Sequence, residues 1–221
     1  MDLQEAIRSR HSVRSYTDRK IEGDVLAQLR GTIDDCNRES GLHMQLCLDE
    51  PKAFSGMMAR YGRFKNVKNY IALVGKKDKE LEEKCGYYGE KIVLKAAQLG
   101  LNTCWVALSF SKGKSAAAVG PGEKLLMVIA IGYGENGGVA HKVKSIQELS
   151  RVEGAMPDWF CRGMEAAQLA PTAVNQQKFL FELKDNLVKA TALSGFYAKV
   201  DLGIVKYHFE IGAGEGDWSW S

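Results

Sequence analysis

The stretch ELEEKCGYYGEKIVLKAAQLGLNTCWVAL, residues 80–108, decides the fold class, because a helix gives way to a strand inside it. Residues 80–100 read as one long helix that Gly100 closes, since glycine enters the left-handed C′ conformation without a steric penalty. TCWVAL, 103–108, follows as a short strand. Upstream, NYIALVG (69–75) is a buried strand by its β-branched and aromatic content, and MQLCLD (44–49) alternates as a half-buried one. Downstream, KLLMVIAIGYG (124–134) is a longer strand ending in a glycine-rich turn. Helices and strands therefore intermingle, which points to a mixed sheet covered by helices.

Further out, DLQEAIRSR (2–10) spaces Leu3, Ala6 and Ile7 as a helix, with Asp2 at the N-cap and Glu5 completing a capping box. DVLAQLRGTIDDC (24–36) places Val25, Leu26, Leu29 and Ile33 on one helical face. NGGVAHKVKS (136–145) is a polar connection, and IQELSRVEGAMP (146–157) reads as the link between two halves, 1–150 and 151–221. Beyond it, PDWFCRGMEAAQLAP is a helix bounded by Pro157 and Pro171. FLFELK and LVKATAL form a hairpin about Asp185-Asn186, and VDLGIVKYHFEIGAG resumes helical spacing. The tail EGDWSWS gives no strong signal. Each half leads a helix towards a strand and later ends a helix at glycine, a faint echo of two pseudo-symmetric halves.

Composition narrows the function. Thirty basic against 27 acidic residues leave +3. A nucleic-acid binder would carry a stronger excess or a basic stripe, so a local anion site fits better. Five cysteines form no CxxC pair and read as reduced thiols. The four histidines lack metal-ligand spacing, so no metal site is expected. The N-terminus lacks the apolar core of a signal peptide and no apolar run is long enough to span a bilayer, so a cytoplasmic protein without a membrane partner is expected.

Three segments carry chemistry. RSRHSVRSY (8–16) gathers Arg8, Arg10, His11, Ser12 and Arg14. Guanidinium groups pair with phosphate in a planar, bidentate way, although arginines at a helix end can equally satisfy terminal carbonyls. APTAVNQQKF (170–179) sets Pro171, Thr172, Asn175 and Gln177 in a loop whose amides suit a heteroaromatic edge or a sugar chain, or simply cap a turn. In HKVKS, Lys142 and Lys144 point to one side if the segment is extended, or are merely solvated.

Together these segments resemble the FMN-dependent nitroreductase family, and most closely its subgroup called "putative TM nitroreductases". The matching elements are RSRHSVRSY, NYIALVG, GEKIVLKAAQLGLNTCWVAL, LLMVIAIGYGE with HKVKS, and APTAVNQQKF with DLGIVKYHFEIGAGEGDWSW. The resemblance implies an α+β nitroreductase-like fold, three-layered α/β/α, with helices around a mixed or antiparallel sheet. It also implies that Arg10, His11, Ser12 and Arg14 bind the ribityl phosphate of FMN and that Lys142 and Lys144 face the same end. Backbone amides of Trp105, Val106, Ala107 and Leu108 would approach the flavin ring. The family's A-P-S-x-x-N-x-Q-P-W motif is absent from its early position, where this chain reads DDCNRESGLHMQL. It stands instead at Ala170, Pro171, Thr172, Asn175 and Gln177, with Lys178 and Phe179 replacing proline and tryptophan. The resemblance thus implies a fused pseudo-dimer holding one FMN per chain at the junction of the halves, working as a monomer or homodimer.

The activity so implied is hydride transfer from NAD(P)H through FMN to an electron-poor acceptor such as a nitroaromatic or quinone. The cofactor carries the chemistry, so no catalytic acid or base is nominated. Alternatives are another flavin reaction on the same scaffold (dehydrogenation, reductive dehalogenation, flavin breakdown) or a non-catalytic phosphate-ligand binding module.

Overall fold

The computed structural model describes residues 1–221. The chain divides into two compact units, each discontinuous in sequence. An antiparallel unit comprises residues 9–81 and 91–140, and a mixed-sheet unit comprises 1–8, 82–90 and 141–221.

The antiparallel unit is built on β1 (Gln45–Cys47), β2 (Tyr70–Lys76), β3 (Asn102–Val106) and β4 (Glu123–Gly132), in the order β1-β2-β4-β3 with every pair antiparallel. The two central strands carry the longest apolar runs, and residues 70–75 and 126–132 are buried without interruption. Because successive side chains point to opposite faces, continuous burial means that both faces are covered. On one face Tyr70, Ala72, Val74, Cys104, Val106, Val128 and Ala130 join a cluster with Val13, Tyr16, Phe54 and Phe110. Phe54 sits edge-on to Phe64 and stacks on Phe110.

Helix α1 (Leu3–Ser9) starts with the expected capping box, in which Glu5 N donates to Asp2 Oδ1 at 2.7 Å and Asp2 N to Glu5 Oε2 at 3.0 Å. Helix α2 (Gly23–Ser40) runs four residues past the predicted Cys36, to a left-handed Gly41 at φ 71°. The extension holds because Asn37 Nδ2 donates to the Met44 carbonyl and Met44 N donates to Asn37 Oδ1, pairing that no local pattern announces. A short helix, α3 (Met57–Tyr61), had no counterpart in the sequence reading. Helix α4 (Leu81–Gln98) ends as expected: Gly100 has φ +77°, its N–H reaches the Ala97 carbonyl, and Leu101 N reaches that of Ala96.

The mixed-sheet unit contains α5 (Ile146–Leu149), β5 (Ser150–Val152), α6 (Asp158–Gln168), β6 (Phe179–Lys184), β7 (Leu187–Ala192), α7 (Ala198–Ala213) and β8 (Ser219–Trp220). Its strand order is β5-β6-β7-β8. β6 and β7 form the expected antiparallel hairpin, turning at Asp185 with φ 54°, while β5–β6 and β7–β8 are parallel. The strands are thus shared between two sheets, one antiparallel and one mixed. In β6, Phe179, Phe181 and Leu183 are buried and the residues between them are not, and Phe181 stacks on Phe209 of α7 at 4.8 Å.

In this unit α7 lies against residues 82–90 of α4 so closely that a Cβ on Gly203 would stand 2.0 Å from the Glu83 carbonyl oxygen, and one on Gly86 2.0 Å from that of Val200. Only glycine permits that approach. The same contact buries His208 and Glu90 completely: Nδ1 donates to the Ala166 carbonyl at 3.1 Å and Nε2 meets Glu90 Oε1 at 2.9 Å. The tail that gave no sequence signal is ordered by stacking of Trp218 on Trp159 and by a 2.8 Å bond from Trp220 Nε1 to Glu210.

Candidate functional site

The basic segment belongs to the antiparallel unit, where it lies along β3. Val13 N donates to the Thr103 carbonyl at 3.0 Å, and Ser12 bridges Thr103 in parallel sense. Lys65 N then donates to Arg14 O, Glu135 N to Ser15 O and Thr17 N to Tyr133 O. Two residues anchor the segment inward: Val13 and Tyr16 are buried, and the Tyr16 hydroxyl donates to the Val13 carbonyl at 2.7 Å. The polar groups between these anchors are consequently held on a fixed backbone.

Arg10 is 7% exposed, His11 and Ser12 are half-buried and Arg14 is exposed. They gather beside Cys104. Burial pushes the Cys104 thiol up, while Arg14, a hydrogen bond with Ser12 and Arg10 pull the other way. The NGG turn closes over the segment: Gly138 has φ +74°, and a Cβ there would stand 2.7 Å from His11 Cβ and 3.1 Å from Ser12 O. The strand beneath runs directly into residues 105–108. Val106 points into the core, Trp105 and Ala107 are half-buried and Leu108 is 66% exposed. The structure therefore sets the segment carrying Arg10, His11, Ser12 and Arg14 against Thr103 and Cys104 of β3, the strand that continues into 105–108.

The other predicted residues meet one another in the mixed-sheet unit. The Lys142 carbonyl accepts from Asn175 Nδ2 and Gln177 Nε2, each at 2.9 Å. Lys144 N donates to Gln177 Oε1 at 2.8 Å, and Lys144 Nζ donates to the carbonyls of Gln176 and Gln177, each at 3.0 Å. Gln177 N reaches Thr172 Oγ1 at 3.1 Å. Lys142 and Lys144 do not act alike: the first is exposed, whereas the ammonium of the second is engaged by the loop. Gln177 is 4% exposed and both ends of its amide have internal partners, the second donor contact going to Asn175 Oδ1. Pro171 enters this loop half-buried.

The loop is strained. Val174, Asn175 and Gln177 have φ of 45°, 54° and 47°, a region costly for a β-branched residue such as Val174. What holds it was not evident in the sequence. Asp201 of α7, 3% exposed, accepts from Ala173 N at 3.0 Å and from Gln176 Nε2 at 2.8 Å. Burial raises its pKa to about 6 against the opposing pull of Gln176 and Ala173. Gln168 of α6 donates to the Lys144 carbonyl, and its own carbonyl meets His141 Nε2. Asp201 and Gln168 sit in helices with ordinary spacing, so nothing local marks them. No cluster of three or more His, Cys, Asp or Glu comes together as a metal site, and no helix is long and apolar enough to cross a membrane.

Comparison with known proteins bears on this geometry. No curated protein matches the sequence. Among solved structures, a "putative nitroreductase" from Thermotoga maritima is similar at TM-score 0.66 and 23% identity, covering 96% of this chain and 83% of its own. A "putative nitroreductase in complex with FMN" from Desulfovibrio desulfuricans follows at 0.53 and 19%, over 71% of this chain and 99% of its own. A "putative NADH dehydrogenase/NAD(P)H nitroreductase" from Parabacteroides distasonis reaches 0.50 and 19%, over 66% and 95%. At these identities the likeness shows the fold, in agreement with the α+β class expected. The sequence profile of the family described as "Putative TM nitroreductase" matches residues 2–213, nearly the whole chain, and this protein belongs to that family.

Proposed function

We propose that the protein is a flavin oxidoreductase that binds FMN and passes reducing equivalents from NAD(P)H to an electron-poor acceptor, a nitroaromatic or a quinone. The observation that carries this reading is the basic segment: two arginines flanking a serine hydroxyl on a backbone fixed to β3. Such a donor set fits a phosphate monoester, which guanidinium groups bind through charge-assisted pairs of hydrogen bonds. Gly138 supports the fit, since its bare backbone closes on His11 and Ser12 where a side chain would intrude. The family match over residues 2–213 and the FMN complex of a structural neighbour support the same cofactor.

In this reading Arg10, His11, Ser12 and Arg14 hold the phosphate. The backbone of Trp105, Val106, Ala107 and Leu108 offers N–H groups to the ring, where donors stabilise developing negative charge. In the mixed-sheet unit, Lys144 and Gln177 fix the loop that carries Pro171, Thr172 and Asn175 beside Lys142, residues that the family resemblance also assigns to the cofactor. When bound, FMN supplies hydride acceptance and donation at N5. The chain's residues bind and orient it, and no side chain is assigned as acid or base.

The purified protein is expected to show flavin absorption, to take up one FMN per chain on titration, and to lose the oxidised flavin band on anaerobic addition of NADPH or NADH. Failure to take up FMN would replace this reading with that of a phosphate-ligand binding module. Two FMN per chain would contradict a single site.

A further inference from the structure

Within the mixed-sheet unit, α1 and α6 share a small groove. α1 contributes Ile7 and Arg8, with Gln4 one turn earlier on the same side. α6 contributes Arg162, Glu165 and Leu169, whose spacing of three and four puts them on one face. α7 reaches the groove through Gly212: a Cβ there would stand 2.4 Å from the Arg162 carbonyl oxygen and 2.6 Å from Ala166 Cβ, so α7 contributes no side chain at that point. The cavity left open measures about 120 Å³. Ile7 is 3% exposed and Leu169 half-buried, which makes its floor apolar, whereas Arg8, Arg162 and Glu165 stand at its exposed rim. Neither guanidinium has an ion pair or hydrogen bond within the chain, and the Glu165 carboxylate meets only the Cys161 thiol, at 3.9 Å. The fold thus sets two uncommitted cations and one acid around an apolar floor.

We infer that this groove binds a small monocarboxylate with a short apolar chain, the carboxylate held by Arg8 and Arg162 and the chain lying on Ile7 and Leu169. Guanidinium groups pair with a carboxylate through charge-assisted hydrogen bonds, and the floor removes the chain from water. Glu165 sets the charge of the occupant: against two arginines it leaves one negative charge to be matched and repels a second. The volume sets the size. A cavity of about 150 Å³ holds benzene, so this one takes roughly five to seven non-hydrogen atoms. None of its lining residues belongs to 10–14, 105–108 or 171–177, so the inference stands apart from the flavin reading.

The test uses the full chain with methyl-labelled isoleucine, titrated with sodium pentanoate at constant ionic strength, before and after addition of FMN. The Ile7 methyl signal is expected to shift saturably in both cases. Ile129 and Ile204, buried elsewhere, should stay in place and report that each variant is folded. Pentanamide, the same chain without the charge, and inorganic phosphate, a charge without the chain, should each bind at least about fivefold more weakly, the loss of one of the two recognition elements. Arg8→Gln and Arg162→Gln should each weaken pentanoate binding about 5- to 10-fold, the loss of one charge-assisted contact at an exposed rim. Glu165→Gln should tighten it about two- to threefold by removing the opposing charge. Lys199→Gln, at an exposed cation of the same unit outside the groove, should leave it unchanged. An unmoved Ile7, equal affinity for pentanamide or phosphate, or indifference to both arginine variants overturns the inference. Equal weakening by Lys199→Gln also overturns it, by reducing the effect to net charge. Flavin uptake is scored separately by absorption, so its failure would remove the flavin reading and leave the result at the groove intact.

Discussion

The basic segment 10–17 and the loop 171–177 differ in how their polar groups are used. The first is a regular extended backbone anchored every few residues by Val13 and Tyr16, which leaves the exposed Arg14 without an ion pair and Ser12 beside a thiol. The second is a strained backbone whose amides are satisfied internally, Gln177 most fully. A cation on a rigid strand can bind a ligand; a buried amide with two partners shapes the loop around it. Motif matching treats both segments alike, yet their hydrogen bonds differ: the Gln177 amide is engaged within its own loop, and the Arg14 side chain makes no ion pair.

Three measurements sharpen or break that contrast. The largest effect is expected from Arg10→Ala/Arg14→Ala, which removes two charge-assisted contacts of about 1.5–3 kcal/mol each and should weaken FMN binding at least about 100-fold. Arg14→Ala alone, at an exposed position, should weaken it about tenfold with no change in thermal midpoint. FMN titration and calorimetry check both, and undiminished affinity would remove the segment from the site.

Gln177→Ala should behave in the opposite manner. It strands the Lys144 N–H and removes one of the two bonds to the Lys142 carbonyl, a loss of about 2–3 kcal/mol that lowers the thermal midpoint by roughly 5–10 °C for a chain of this size. Unchanged stability would mean that the amide was free for ligand after all.

The remaining effect, spread over two pH units, concerns Asp201. Its carboxyl has a folded pKa raised to about 6 from an ordinary 3.8, so the folded state holds the proton more tightly than the unfolded state between those values. Stability should therefore fall as pH rises from about 4 to 6, by at most about 1.4 kcal/mol per pH unit, and level off above. Asp201→Asn should flatten that slope in denaturant titrations. An equal slope in the variant would assign it to another group.

Much of the fold was legible because it was local. The Asp2–Glu5 capping box, the glycine stop at Gly100 and the β6–β7 hairpin all depend on residues within a few positions of one another. Helix α3 escaped notice because its five residues are too few for a period. β8 escaped because two residues carry no alternation, and packing of Trp218 and Trp220 places it. In the two candidate segments, the residue types of 10–14 and 171–177 were visible, whereas the supports of the second were not. Asp201 lies 28 positions from Ala173, and Gln168 lies 24 from Lys144.

By itself, then, the sequence determined most of the helices and strands, the mixed class and a basic cluster near the amino terminus, since propensity, capping and hydrophobic alternation act over a few residues. Tertiary structure alone decided that the strands divide between two sheets, that Lys144 bonds the loop while Lys142 faces solvent, and that Gln177 turns inward. Those outcomes depend on pairings and burial between residues tens of positions apart, where desolvation and hydrogen-bond satisfaction outweigh any local preference.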